Sequence, residues 1–502
     1  MNRRQVLLGL TAGAVGSWVA EPTLGTPQGG SPTLSSADGD GARALPDLRR
    51  LEDLADRLRS VSREEAFDVA ARAKAVGATP TTVIGAAFLV GIQEIRPRSV
   101  GGKLHAVMMV ESAFQLLSGS DEDDWTVALW TLDDCKASQN RDVRESGDWR
   151  LPSRPEVRFA SAQQARRELA LAVESWDDDQ ADRAVVGALD ALGVDQVFEL
   201  LWPLAASSYS DIGHKIIFCS QVRRALDRIG PAATEPALRS LVHGLLYIDP
   251  GAPGNGRQTE FFEAAVERAE RFPSSWLEGR DEPSSSLDLA RQLRTEDPDR
   301  AQALVLEALR SGLGPQTVWD GLRLAATEIF QRRPQSAARR HGPVHPITEV
   351  NAFHHGFRTV QSERSRRLMV LQAASWLPRL RHDLEGFFGP AEGPDLDQLG
   401  RGIDDPPSLE ALLESPSAAA ARSRLERHPE EAATYLEGLR RHLRRRANQS
   451  HQYKFLAALE EESRWIDPRW APAFLAPALT YLPTAADPET ETWRRSRRVL
   501  DA

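Results

Sequence analysis

At 502 residues the chain is long enough for two or three domains or one large helical body, and 41% hydrophobic and 27% charged side chains make an ordinary soluble, globular composition. A formal net charge of −10 argues against a nucleic-acid surface, which needs clustered Lys and Arg to neutralise phosphates. The two cysteines, Cys135 and Cys219, lie far apart in sequence; they permit one disulfide at most and no CxxC metal motif.

The chain opens with Asn2-Arg3-Arg4-Gln5-Val6-Leu7-Leu8, followed by an apolar run diluted by Gly and Ala as far as Ala20. Paired arginines before such a run resemble a twin-arginine export signal, and the run is too short and glycine-rich for a comfortable membrane helix. The expectation is a signal over residues 1–20 that engages the twin-arginine translocation machinery. It would send the protein to the periplasm or the exterior, or leave it anchored in the membrane if the signal is not cleaved. That route carries folded proteins, often with a cofactor already in place. Residues 21–46, rich in Gly, Ser, Thr, Pro and Asp and without a period, read as a linker.

From Asp47 onward the pattern predicts an all-α protein, a large irregular array of packed helical hairpins with no sheet. Leu48, Leu51, Leu54 and Leu58 recur at three and four, as do Ala66, Val69, Ala70 and Ala73. Thr82–Ile95 is apolar nearly all round, which predicts a buried central helix ending at Pro97. Breaks fall at Arg144–Pro155, Pro250–Gln258, Pro273–Ser286, Arg332–Pro343 and Phe388–Pro407. Helices are expected at Ser286–Leu293, Asp297–Ser311 and Pro315–Arg332, the last with proline at its start and Arg333-Pro334 at its end. A main domain over 47–390 and a C-terminal helical region over 391–502, packed on it or completing it, follow from these breaks. The cationic run Arg440–Arg446 reads as a solvated face or a favourable helix C-terminus.

Four stretches place a histidine in or just before the first turn of an apolar helix: His105 after Val100-Gly101-Gly102, His214 after Asp211-Ile212-Gly213, His345 before Pro346, and His451 after Ser450. The positive end of a helix dipole favours the neutral ring, and a neutral imidazole is what a transition metal binds. Taken singly, each histidine is more simply a helix cap. The third stretch shifts the balance, because Glu349, Asn351, His354 and His355 follow within eleven residues of His345 in a chain with eleven histidines. Gln221, seven residues after His214, shares its face and is placed to hydrogen-bond a ligand or water. Lys454 lies one turn after His451; beside a metal it must lose its charge, for which carbamylation is one route, whereas the sequence alone favours a lysine reaching solvent. Glu199 and Glu328, inside apolar helices, are candidate acceptors for imidazole N–H groups, with an arginine as the commoner partner. His243, His341, His382, His428 and His442 read as structure or surface. No HExxH, P-loop, GxSxG or GxGxxG motif is present.

Together, the helix-opening His105, Gly213-His214, His345…Asn351-Ala352-Phe353-His354 and His451-x-x-Lys454 resemble short islands of the questin-oxidase-like family, spread over residues 100–460. The resemblance implies an all-helical, non-haem iron oxygenase of polycyclic aromatic substrates, with iron held by several histidines and a carbamylated lysine, for which Lys454 is the candidate. The stretch around Asp133–Trp149 and the export signal depart from that pattern. The expectation is iron, with zinc or copper as alternatives, bound by His105, His214, His345 and His354 and supported by His451 and Lys454. Gln221 and Asn351 would assist at a pocket for an apolar small molecule lined by Met108, Met109, Phe218 and Phe353. The alternatives are a non-catalytic helical scaffold of the cell envelope, and a zinc hydrolase with Glu349 or Glu328 as general base.

Overall fold

The computed structural model describes residues 47–98, 103–209, 211–247, 260–333, 342–399 and 403–501. Among them the chain is helical nearly throughout; extended backbone pairs only in one isolated bridge between Arg280 and Leu313, so the fold is all-α. The signal and linker expected over residues 1–46, and His341, lie outside the described residues. No described helix is long and apolar enough to cross a membrane.

Local chemistry sets the helix boundaries. Pro80–Glu94 opens with a capping box between Thr79 and Thr82 and a proline in its first turn, and is buried on nearly every side as its apolar sequence predicts. Neighbouring helices come close at its glycines: a Cβ on Gly91 would fall 2.9 Å from Val107 Cγ2. The expected central helices appear as Pro283–Leu293, Pro298–Arg310 and Pro315–Gln331, each with proline in its first turn.

One hydrophobic core runs from Leu51 to Leu482, so the C-terminal region shares it. Trp130 Nε1 donates to the Ala447 carbonyl at 3.0 Å, and Arg444 meets Asp123 at 2.8 Å. In the cationic run Arg441 and Arg445 are exposed and Arg444, Arg445 and Arg446 occupy the last turn of their helix, as expected, while Arg440 pairs with Glu460 and Arg446 donates to the Asp487 carbonyl at 2.7 Å.

At the centre, four helices pack in a ring. Lys103–Gln115 packs on His214–Ile229 and Ser450–Glu462, and both of these pack on His345–Thr359. Each carries its histidine in the first turn, and those first turns meet. Some 6–11 residues further on, about 9–16 Å along each axis, Glu111, Arg224, Asn351, His354, Glu461 and Glu462 meet in a second polar layer. Two layers in the same order on every helix require all four to run in one direction. Parallel neighbours need long crossovers, and the remaining helices supply them.

Candidate metal centre

The first layer is built from His105, His214, His345 and His451, all buried. His105 Nε2 lies 2.6 Å from His214 Nε2, which lies 3.2 Å from His345 Nε2. The His105 and His451 rings meet edge to face at 4.1 Å between centroids, and His345 and His451 at 5.4 Å. Ligand atoms of His105, His214 and His451 all lie within 4.8 Å of one another.

The orientation of His345 is fixed. Its Nδ1 lies 3.0 Å from the Gly342 carbonyl, which only accepts, so Nδ1 carries the proton. In the neutral ring the Nε2 lone pair then points at His214. Metal–imidazole bonds of about 2.1 Å place adjacent nitrogens about 3.0–3.4 Å apart, which the 3.2 Å between His214 and His345 matches and the 2.6 Å between His105 and His214 falls short of by a few tenths of an ångström. The donor set therefore fits a transition metal of borderline softness.

The backbone entering the His214 helix is strained. Ile212 (φ 43°) and Gly213 (φ 78°) are both left-handed, a costly conformation for a β-branched residue. Gly213 has a second constraint: a Cβ there would fall 1.5 Å from Glu349 Oε1. Glu349 sits one turn after His345 and is pressed against the residue before His214. Both its oxygens are buried without a hydrogen-bond partner, and burial, with Asp383 adding, pushes its pKa well above the usual carboxylate range. An orphaned acid in this place suits a neighbouring cation.

Lys454 is buried, not solvated. Burial pushes its amine down to about 7, and across from it burial, with Asp133 adding, pushes Asp134 up to about 7. The stretch around Asp133 is thus internal: Asp133 itself pairs with Arg63 at 2.6 Å, and Lys136 donates to the Leu58 carbonyl at 2.9 Å. Met108, Met109, Phe218 and Phe353 are all core residues.

His354 and Asn351 belong to the second layer. His354 Nδ1 donates to Glu462 at 3.0 Å, and Arg323 Nη2 lies 3.0 Å from the same ring atom. Arg323 also holds Glu462 at 2.7 Å and Asp320 at 2.8 Å. Burial pushes the Glu462 carboxyl up, but His354 and Arg323 outweigh it and hold the group well below its ordinary value. Asn351 Nδ2 donates to Glu461 and Glu462, each at 2.9 Å, and Arg224 meets Glu461 at 2.6 Å. Glu111, whose Oε1 accepts from Gln115 at 2.5 Å, is pushed up to about 7 by burial. The structure thus gathers four of the five candidate histidines and sets the fifth, with Asn351, about two turns away. Gln221 lies on the His214 helix, buried, its Oε1 without a hydrogen-bond partner.

Glu328 and Glu199 do not serve the histidines. Glu328 pairs with Arg294 at 2.5 Å, and Glu199 accepts from the backbone of Gln361 and Ser362 at 2.8 and 3.3 Å, at the start of the Glu363–Phe388 helix. His243 lies 3.6 Å from Asp182 and His355 Nδ1 3.0 Å from Ser220 Oγ. Of the second layer, sequence reasoning singled out Asn351 and His354 but missed Glu111, Arg224, Glu461 and Glu462; the pair Glu461-Glu462 at the end of its helix was the signal for the last two. Comparison of the chain with protein-family models, curated proteins and solved structures finds no match.

Proposed function

We propose that the histidine layer holds one transition-metal ion, iron in the first instance, and that the protein is a metal-dependent oxidoreductase acting on an apolar or aromatic small molecule. The observation that carries this is the convergence of the rings on His214, whose Nε2 lies 2.6 Å from that of His105 and 3.2 Å from that of His345, with ligand atoms of His105, His214 and His451 within 4.8 Å of one another and His345 locked by the Gly342 carbonyl into its ligating tautomer. Iron in such a site would supply the activation of dioxygen. The chain's own contribution is to bind and orient. Four parallel helices present the rings, Gly342 and Gly213 fix two of the approaches, and the surrounding core excludes water. Lys454, buried and one turn from His451, has its amine lowered to about 7, the neutral form that carbamylation requires. Entry into a periplasmic compartment with the metal already bound is part of this reading and rests on Arg3-Arg4.

A second reading, a zinc hydrolase, is favoured by Glu349, a buried acid without a partner that suits a general base beside a metal-bound water. Metal analysis of the purified full chain separates the two. About one equivalent of iron, lost in His214→Ala, together with dioxygen uptake on addition of a polycyclic aromatic, supports the first. One equivalent of zinc supports the second. No metal in the wild type would refute both.

A further inference from the structure

A cleft of 530 Å³ lies away from the histidine layer, between the Pro283–Leu293, Pro315–Gln331 and Glu363–Phe388 helices. One wall is apolar, formed by Ala290, Leu293, Ala325, Ile329 and Leu377. The rest of the lining is charged: Arg294, Arg332, Arg333 and Arg381 with Glu328 and Glu385, and Arg294 is held as well by Asp397 at 3.4 Å and Asp395 at 3.7 Å from outside the cleft. Both the size and the split lining are those of a small-molecule site.

Most of this charge is already used by the fold. Arg381 donates to the carbonyls of Leu293, Arg294 and Glu296, closing the end of the Pro283–Leu293 helix. Arg294 and Glu328 satisfy each other at 2.5 Å. Arg333 differs. Its side chain is 1% exposed, its Nη1 donates to the Gly389 carbonyl at 3.0 Å, and its closest carboxylate is Glu385 at 3.7 Å, itself 40% exposed. Its Nε has no hydrogen-bond partner, nor has that of Arg332. A buried guanidinium with an unspent donor is costly unless an anion completes it. Burial lowers its pKa, Glu385 opposes this, and Arg332 and Arg381 lower it further.

We propose that this cleft binds an amphipathic monoanion, a carboxylate on an apolar body, with the carboxylate on Arg333 and the body along Leu293, Ile329 and Leu377. With Nη1 given to Gly389, the Nε–Nη2 edge of Arg333 is the one that matches a carboxylate in geometry as well as charge. The apolar wall excludes bare inorganic anions as the preferred ligand, and the charged lining excludes neutral hydrophobes. The site is independent of the metal reading, because none of its lining residues belongs to the histidine layer.

Calorimetric titration of the full-length protein with octanoate tests this, with octanol and acetate as the probes that each lack one half. Octanoate should saturate at one equivalent and bind at least tenfold more tightly than octanol or acetate. Arg333→Gln should bring octanoate down to the octanol level, about tenfold or more, and Ile329→Trp should weaken octanoate by crowding the apolar wall. His214→Ala should bind octanoate as the wild type does. Should Arg333→Gln fail to fold, Ile329→Trp still decides the matter. Octanol binding as tightly as octanoate, absence of saturation, or wild-type affinity in both cleft variants overturns the proposal.

Discussion

Replacing Gly213 by alanine separates the contact with Glu349 from simple backbone strain. The Cβ would arrive 1.5 Å from Glu349 Oε1, 2.1 Å from Cδ and 2.6 Å from Cγ, at a φ of +78°. Left-handed backbone costs an L-residue about 1–2 kcal/mol. Displacing the glutamate within a packed interior adds about 1–3 kcal/mol. The expected loss is therefore about 2–5 kcal/mol. Gly77 is the control: its φ is +90°, and a Cβ there meets only the Arg50 guanidinium at 3.2 Å, the far end of an exposed and flexible side chain. Gly77→Ala should cost only the backbone term, about 1–2 kcal/mol. The assay is equilibrium unfolding in guanidinium chloride, repeated for Gly213→Ala on a Glu349→Ala background. There the penalty should fall to that of Gly77→Ala. Equal penalties at Gly213 and Gly77, or no relief from Glu349→Ala, would refute the argument that Glu349 requires the glycine.

Three further outcomes follow from the two polar layers. His345→Ala should strip bound metal while His354→Ala retains it, read by metal analysis of the purified variants; loss in both would merge the layers functionally. Glu462→Gln leaves the fully buried Arg323 with Asp320 at 2.8 Å but without its charged 2.7 Å partner and should cost about 1.5–3 kcal/mol in equilibrium unfolding, where a loss below about 1 kcal/mol would contradict the assigned charge states. In metal-free protein, the Lys454 amine titrates at about 7 when folded and near its ordinary 10.5 when unfolded. The unfolded state then binds the extra proton between those values, so stability rises with pH across 7–10.5 by up to about 1.4 kcal/mol per pH unit. Asp134 acts oppositely, raised from 3.8 to about 7, so its contribution is present below 3.8 and lost as pH rises to 7. A minimum of stability near pH 7 is expected, with the alkaline limb absent in Lys454→Met; a limb unchanged in that variant would place the amine in solvent.

The helical class and most boundaries were legible because period and punctuation are local. Pro283, Pro298 and Pro315 each mark a helix start that a single-sequence reading can find. The histidine layer was legible in part, since a ring in the first turn of an apolar helix is a local signal that occurs four times. Which rings meet was not, because His354 and His345 share a helix yet lie nine residues, about 13 Å, apart along it. The direction in which each helix runs decides the assignment, and that is set by packing over the whole chain. Lys454 was misjudged for the same reason: its neighbour Asp134 is 320 residues away, and no pattern near Lys454 announces it. Arg224 and Arg323 drew no notice in the sequence, because their carboxylate partners Glu461 and Glu462 come from a helix remote in sequence.

The parallel ring also has a consequence for biogenesis. Its four imidazoles are supplied at residues 105, 214, 345 and 451, so a nascent chain acquires the last only about 350 residues after the first. On the proposed metal reading, a molecule cut before His451 would lack one of the four imidazoles around the ion.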